Sequence, residues 1–218
     1  MTTPTPGLTP EQIARLQLGS GAHKPGDPDP CLLEAESIFA GEPFGDSPSC
    51  VDPVLAAFGR SWNDALADAD RQTLKQYLGR LAGTNNGPAL SAKRSFMALD
   101  WLWRVHAPLW LDQVPELAEH AAALRALAPI TAELGVAERA AALEQAARAA
   151  RDAWDAAASA AATAAYEAAS CATYEEAREK ADAVFMKHRD AVQESLHRLF
   201  TDMINAKLDD ASEKGAGQ

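Results

Sequence analysis

Residues 137–172 read AERAAALEQAARAARDAWDAAASAAATAAYEAASCA, and twenty of these thirty-six residues are alanine. Alanine has the highest helix propensity because its side chain loses no conformational entropy when the backbone becomes helical. The stretch therefore predicts one long helix. Together with the flanking sequence, it indicates an all-α protein in which a compact bundle of short helices precedes a long alanine-rich helical hairpin or rod.

The predicted alanine-rich helix has one apolar face, with residues at three- and four-residue steps. A second helix can approach this face closely because it consists mostly of methyl groups, although little apolar area is buried per residue. We therefore expect a neighbouring helix to cover it, either from this chain or from a partner. The residues predicted to form this interaction face are Leu143, Ala147, Ala150, Trp154, Ala157 and Ala161.

Composition shifts divide the chain into four predicted regions. These are a disordered N-terminus at residues 1–8, a helical head at 9–130, a helical arm at 131–210 and a disordered tail at 211–218. Within the arm, Thr173 and Glu176 fit a capping box, which places the start of a second helix near residues 170–173. Because no Gly or Pro marks that break, a hairpin and one continuous helix both remain open.

Capping residues, prolines and glycines mark the helices of the head. Asp52 and Pro53 predict the start of one helix, and Gly41 predicts the end of the helix before it. Pro108 and Pro115 are expected to break the aromatic segment that precedes the arm. The helices expected before that segment span residues 9–18, 31–40, 53–66 and 70–81.

Charge and cysteine content limit the possible partners and location. The net charge of −11 argues against binding to a phosphate backbone, which requires clustered Lys and Arg. No stretch approaches the roughly eighteen apolar residues that a membrane-spanning helix needs. Since the first residues resemble no signal peptide, the three cysteines are expected to be free or metal-bound in a reducing cytoplasm.

One group of residues has the chemistry of a metal site. A helix between two loops would carry a thiol and a carboxylate three residues apart, with an imidazole and a second thiol in the flanking loops. Such ligands suit zinc, although the spacing is not that of a zinc finger and no C-x-x-C is present. There are two alternatives to a metal site. One of the thiols could be reactive, or the thiols and loop residues could serve only in packing and capping. The candidate ligands are His23, Cys31, Glu34 and Cys50.

Two further groups allow a chemical and a structural interpretation. His106 lies among three tryptophans, which are Trp101, Trp103 and Trp110. They could form a pocket for a flat ligand, but an aromatic helical core explains them more simply. Glu42 and Asp46 could perform acid–base chemistry, but acidic residues are also ordinary in loops and caps. No phosphate-binding glycine loop or hydrolase motif is present.

The block from His23 to Asp64 contains H(x7)C-x-x-E-A, then G-E-P-(x2)-D-x-P-x-C, then V-L-A-A-F-G-R-S-W-N-D. It resembles a family of uncharacterised proteins of actinobacteria and their phages, in which an aromatic D-W-L segment and an alanine-rich stretch follow. The resemblance covers most of the chain from His23 through the alanine-rich run. It implies a shared fold and a bacterial or phage cytoplasm, and it implies no activity or catalytic residue.

These observations favour a non-enzymatic interaction or assembly protein that acts through helix–helix contacts, with a protein partner or by self-association. One alternative is a zinc- or thiol-dependent enzyme centred on Cys31 and Cys50. The other is an acidic antagonist of a host or defence protein, which would occupy a basic surface.

Overall fold

The computed structural model describes residues 10–131, 145–149, 152 and 174–208, and in these ranges the regular structure is helical, with no strand. The all-α fold predicted from the sequence is thus confirmed. The chain forms two compact units, of which the first comprises Met1–Ser95 and Asp202–Gln218 and the second Phe96–Thr201. Two helices, Pro88–Trp101 and Tyr174–Asn205, contribute residues to both units, and the predicted boundary between a head at 9–130 and an arm at 131–210 stays a prediction.

The helices follow one another with short connections. The α-helices are α1 (Pro10–Arg15), α2 (Leu32–Ala40), α3 (Pro53–Ala65), α4 (Asp68–Arg71), α5 (Pro88–Trp101), α6 (Ala107–Leu111), α7 (Ala118–Ala126) and α8 (Tyr174–Asn205). Two 3₁₀ segments, Gln72–Tyr77 and Pro115–Leu117, follow α4 and precede α7, and a π-helical segment, Leu102–His106, joins α5 to α6. The long helix expected after the alanine-rich run is therefore present as α8.

Local capping signals correctly predicted the end of α2 and the start of α3. The Asp52 carboxylate accepts hydrogen bonds from the backbone N–H groups of Val54 and Leu55, and Pro53 occupies the first turn of α3. Gly41 ends α2 in the left-handed conformation, with φ of 70°, which glycine adopts without strain. Cys31 is the N-cap residue of α2, so the helix begins at Leu32, one residue later than expected.

Two predicted helices of the first unit are shorter than expected. The first ends at Arg15 instead of Leu18, and the fourth is a single α-turn followed by a 3₁₀ segment that stops at Tyr77, before the expected Leu81. The fourth helix stops early because of a carboxylate that is distant in sequence. Glu36 accepts hydrogen bonds from the backbone N–H groups of Gly79 and Ala82, both at 2.7 Å. These N–H groups are consequently not available to continue the helix.

Pro108 does not break the helical segment that contains it, contrary to the prediction. The π-helical turn before it places the Ala107 N–H on the carbonyl of Leu102, five residues earlier. Pro108 has no N–H and would crowd a regular α-helical turn, so the wider turn allows the helix to continue through it. The result is an unbroken helical path from Pro88 to Leu111.

In the second unit, α6 and α7 enclose a small apolar core. Residues 145–149 are helical, and they contribute Ala146, which is buried, and Ala149, which is partly buried. Ala147, a member of the predicted interaction face, is exposed. The buried members of this core are Leu111, Leu117, Ala121, Leu124 and Ala146.

Several sequence predictions lie outside the described residues. These are the disordered termini, the break near 170–173, the choice between a hairpin and one helix, and the interaction-face residues Leu143, Ala150, Trp154, Ala157 and Ala161.

Candidate functional site

The four predicted metal ligands are all described, and the structure brings three of them together. The carboxylate of Glu34 accepts from the backbone N–H groups of His23 and Cys31, each at 2.8 Å, and lies 2.8 Å from Nδ1 of His23. Burial raises the pKa of Glu34, but these hydrogen bonds outweigh it and lower the pKa below its ordinary value. Glu34 therefore ties the preceding loop to the start of α2.

Cys50 has different partners from those three residues. Its backbone N–H donates to the Glu42 carboxylate at 2.9 Å, and the same carboxylate accepts two hydrogen bonds from Ser49. Within the described part of the chain, no three His, Cys, Asp or Glu side chains are placed so that they could hold a metal ion. The two acidic candidates have different partners: the Asp46 carboxylate lies 3.7 Å from the Arg60 guanidinium, whereas that of Glu42 accepts from Ser49 and Cys50.

Neither described thiol is activated. Burial, together with the nearby Glu34 carboxylate, raises the pKa of Cys31 to about 12. Burial and the Glu42 carboxylate also raise the pKa of Cys50. Since the thiolate is the nucleophile, the helix N-terminus does not give Cys31 the reactivity that its position in the sequence suggested.

The buried polar groups of the first unit form structural hydrogen bonds that the sequence did not reveal. Arg94, with 1% exposure, makes a 2.8 Å ion pair with the fully buried Asp52. Its guanidinium also donates to the backbone carbonyls of Thr84 at 2.7 Å and Met203 at 2.9 Å. It thereby links the cap of α3, a loop and the end of α8, which are far apart in sequence.

Arg71 performs a similar role at the other end of α3. Its guanidinium donates to the carbonyls of Asn63 and Leu66 and pairs with Asp68 at 2.7 Å. The last carbonyls of a helix lack partners within it, and a cation there is favourable. Asn63 in turn donates to the carbonyl of Gly19 and accepts from the N–H of Leu32.

A groove of about 940 Å³ lies beside this network in the first unit. Arg94 and Thr84 line it, but their polar atoms already bond to the protein: the Thr84 hydroxyl donates to Leu81 and accepts from the N–H of Asp52. These bonded atoms of Arg94 and Thr84 are therefore not free to bind a ligand in the groove.

The second unit contains a different arrangement, in which the predicted tryptophan and histidine group is joined by His188 of α8. The ring of His106 stacks on Trp101 at 4.9 Å between centroids and meets Trp110 edge-on at 6.4 Å. The ring of His188 lies 4.0 Å from that of Trp110. We call Trp101, His106, Trp110 and His188 the aromatic–histidine cluster.

The cluster combines unpartnered nitrogens with an exposed ring. Nδ1 of His106 and both ring nitrogens of His188 are buried without a hydrogen-bond partner. Trp110 is 50% exposed, and Leu102, two turns earlier on the same helical path, is 43% exposed. The expectation of an aromatic core is met only in part, because Trp103 is buried while Trp110 presents half of its surface to solvent.

The fold and these sites define the class as an all-α protein of two compact helical units. No helix among the described residues is long and apolar enough to cross a membrane. No family model, curated protein or solved structure matches the chain.

Proposed function

We propose that this is a non-enzymatic interaction protein that acts through helix–helix contacts of its second unit. The observation that carries the proposal is the exposure of Leu102 and Trp110, the two large exposed apolar side chains of the described residues. Aromatic residues half-exposed on a helix are typical anchors of protein interfaces. The exposed Ala147 and the predicted alanine-rich face would extend this surface.

The polar groups of the first unit support a structural role for that unit. Arg94, Arg71 and Glu36 are buried and bonded to backbone groups, and the thiols of Cys31 and Cys50 have raised pKa values. A catalytic group needs a free face toward a substrate and a pKa matched to its task. This arrangement favours a scaffold over an enzyme centred on the two cysteines. Elemental analysis of untagged protein tests the zinc alternative directly.

The cellular location and the biological origin of the protein are inferred from the sequence. The resemblance of residues 23–64 to actinobacterial and actinophage proteins supports a bacterial or phage cytoplasm.

The net charge of −11 supports a second candidate, an acidic antagonist that occupies a basic surface. Binding that weakens steeply with salt would favour this second candidate, since an apolar contact depends little on ionic strength.

Light scattering and affinity capture test the first candidate. A Leu102→Ser/Trp110→Ser variant should lower the oligomer mass or lose a captured protein that the wild type retains. Glu119→Ser, at an exposed position of α7, is the matched control and should behave as the wild type. A wild-type monomer whose captured proteins are the same as those of the double variant would contradict the proposal.

A further inference from the structure

Three nitrogen atoms in the aromatic–histidine cluster lack the hydrogen bonds that buried polar atoms normally make. They are Nδ1 of His106 and both ring nitrogens of His188, whose side chain is only 6% exposed. An unsatisfied buried donor or acceptor costs about 1–3 kcal/mol, so such groups in a folded protein require a physical account.

The surroundings of the His106 ring favour a neutral imidazole over a charged one. Trp110 contacts the His188 ring, and Trp101 stacks on the His106 ring. A cation can gain about 0.5–2 kcal/mol over an aromatic face, but a buried imidazolium without an acceptor loses more than that in solvation. Burial first, and the neighbouring His188 second, lower the pKa of His106.

Eight described charged side chains on the neighbouring elements form four ion pairs. The pairs are Arg104 with Asp100, Arg125 of α7 with Asp112, Arg189 with Asp190, and Glu194 with Arg198. The other titratable groups are Glu116 before α7, Glu119 and His120 on α7, and His197 on α8. The one charge that contributes to the pKa shift of His106 is that of His188, and a second imidazolium is repulsive.

A metal ion accounts less well for the unpartnered nitrogens. A histidine ligand normally donates its second ring N–H to a carboxylate or carbonyl, and neither nitrogen of His188 has such a partner. Among the described residues, no third His, Cys, Asp or Glu completes a ligand group.

We propose that His106 is a pH-sensitive latch, which holds its own packing on Trp101 and Trp110, and through Trp110 the contact with the His188 turn of α8, while the His106 imidazole is neutral. Acidification favours a state in which the His106 ring reaches water and this contact opens. The proposal concerns the second unit itself and does not depend on the identity of a partner.

The direction of the pH effect follows from linkage. Because the closed state disfavours the protonated imidazole, its stability is fully present above the ordinary histidine pKa of about 6.5 and decreases as the pH falls below it. Suppose that the imidazole has an ordinary pKa in the open state and is not protonated in the closed state. Lowering the pH to 5.5 then shifts the equilibrium about tenfold toward the open state.

Hydrogen exchange measured by mass spectrometry tests the latch on the full chain. Protection factors, corrected for intrinsic rates, should fall by about tenfold or more between pH 7.5 and 5.5 in peptides that cover residues 102–113 and 186–200. His106→Phe keeps an aromatic ring and removes the titratable group, so it should abolish most of that change. His188→Phe keeps a ring against Trp110 and removes the repulsive neighbour of His106, so it should reduce the change by a smaller amount. His120→Gln is the histidine control and should respond as the wild type.

Several outcomes would overturn the latch. One is equal protection at the two pH values in the wild type, and another is an undiminished loss in His106→Phe. If that variant fails to fold, an NMR titration of the His106 ring protons in the wild type decides: an ordinary pKa for this ring would reject the proposal. Protection of these peptides by added Zn²⁺ that depends on His188 would identify a metal site in place of a latch.

Discussion

The two units treat buried polar groups in opposite ways. In the first unit, Arg94 and Asp52 are almost fully buried, and each has several hydrogen-bond partners. In the second unit, His188 is almost as deeply buried and neither of its ring nitrogens has a partner. A saturated network resists change, whereas an unsatisfied group can gain free energy when its environment changes. We therefore expect substitutions of buried polar groups to destabilise the first unit, and a change of pH to act on the second.

Breaking the Arg94–Asp52 pair should have the largest effect on stability. Arg94→Met leaves the Asp52 carboxylate buried without its cation, and we expect a loss of about 3–5 kcal/mol in the free energy of unfolding. Urea denaturation followed by circular dichroism measures it. Arg198→Met, which removes an exposed pair with Glu194, should cost less than about 1 kcal/mol. Similar losses in the two variants would show that the first unit does not depend on its buried network.

Gly79 tests how tightly the first unit is packed. Its φ is 76°, and a Cβ at this position would lie 2.5 Å from the Phe39 ring. Gly79→Ala should therefore cost about 1–2 kcal/mol for the left-handed backbone and a further 1–3 kcal/mol for the clash. Gly83 has a similar φ of 77° and no atom near its Cβ position, so Gly83→Ala isolates the backbone contribution. Equal melting temperatures for both alanine variants would show that Phe39 moves away at little cost.

The dependence of stability on pH tests the role of Glu34 in the first unit. Its pKa is lowered from 4.5 because its hydrogen bonds outweigh the effect of burial. The stabilisation is therefore present above pH 4.5 and is lost as the pH falls through the lower folded-state pKa. We expect Glu34→Gln to cost about 1–3 kcal/mol at pH 7 and to weaken the acid dependence of stability. The exposed Glu11→Gln should change neither. An unchanged acid profile in Glu34→Gln would reject this role.

The smallest effect is expected at the exposed apolar surface of the second unit. Leu102→Ala should change the free energy of unfolding by less than about 1 kcal/mol, because the side chain is already 43% exposed. Leu124→Ala, the same substitution at 1% exposure, should cost about 2–5 kcal/mol. A larger loss at Leu102 than at Leu124 would mean that the surface assigned to partner binding serves the fold.

Sequence predicted the features that short-range chemistry controls. Asp52 with Pro53, and Gly41, act on residues within one helical turn, so their signals are visible without the fold. The features it missed join distant residues: Glu36 ends a helix forty-three positions away, and His188 meets a tryptophan from a different helix. No periodicity in the sequence specifies such encounters.

The candidate sites followed the same rule. His23, Cys31 and Glu34 were predicted to meet and do, because they flank one helix start, but the capping requirement of that helix explains the encounter. Cys50 was grouped with them by chemistry alone, and it has separate partners. The sequence showed His106 within an aromatic segment. It did not show the unpartnered ring nitrogens of His106 and His188, because these depend on burial in the tertiary structure.

The clamp made by Arg94 also constrains the order of events during synthesis. One of its acceptors, the carbonyl of Met203, lies 109 residues further along the chain. At translation rates of about 5–20 residues per second, the first unit waits roughly 5–20 s for this acceptor after Arg94 is made. During that interval Arg94 can already pair with Asp52 and with the Thr84 carbonyl, which precede it in the chain, and only the bond to α8 is missing. The first unit is therefore completed only when the end of α8 has been synthesised.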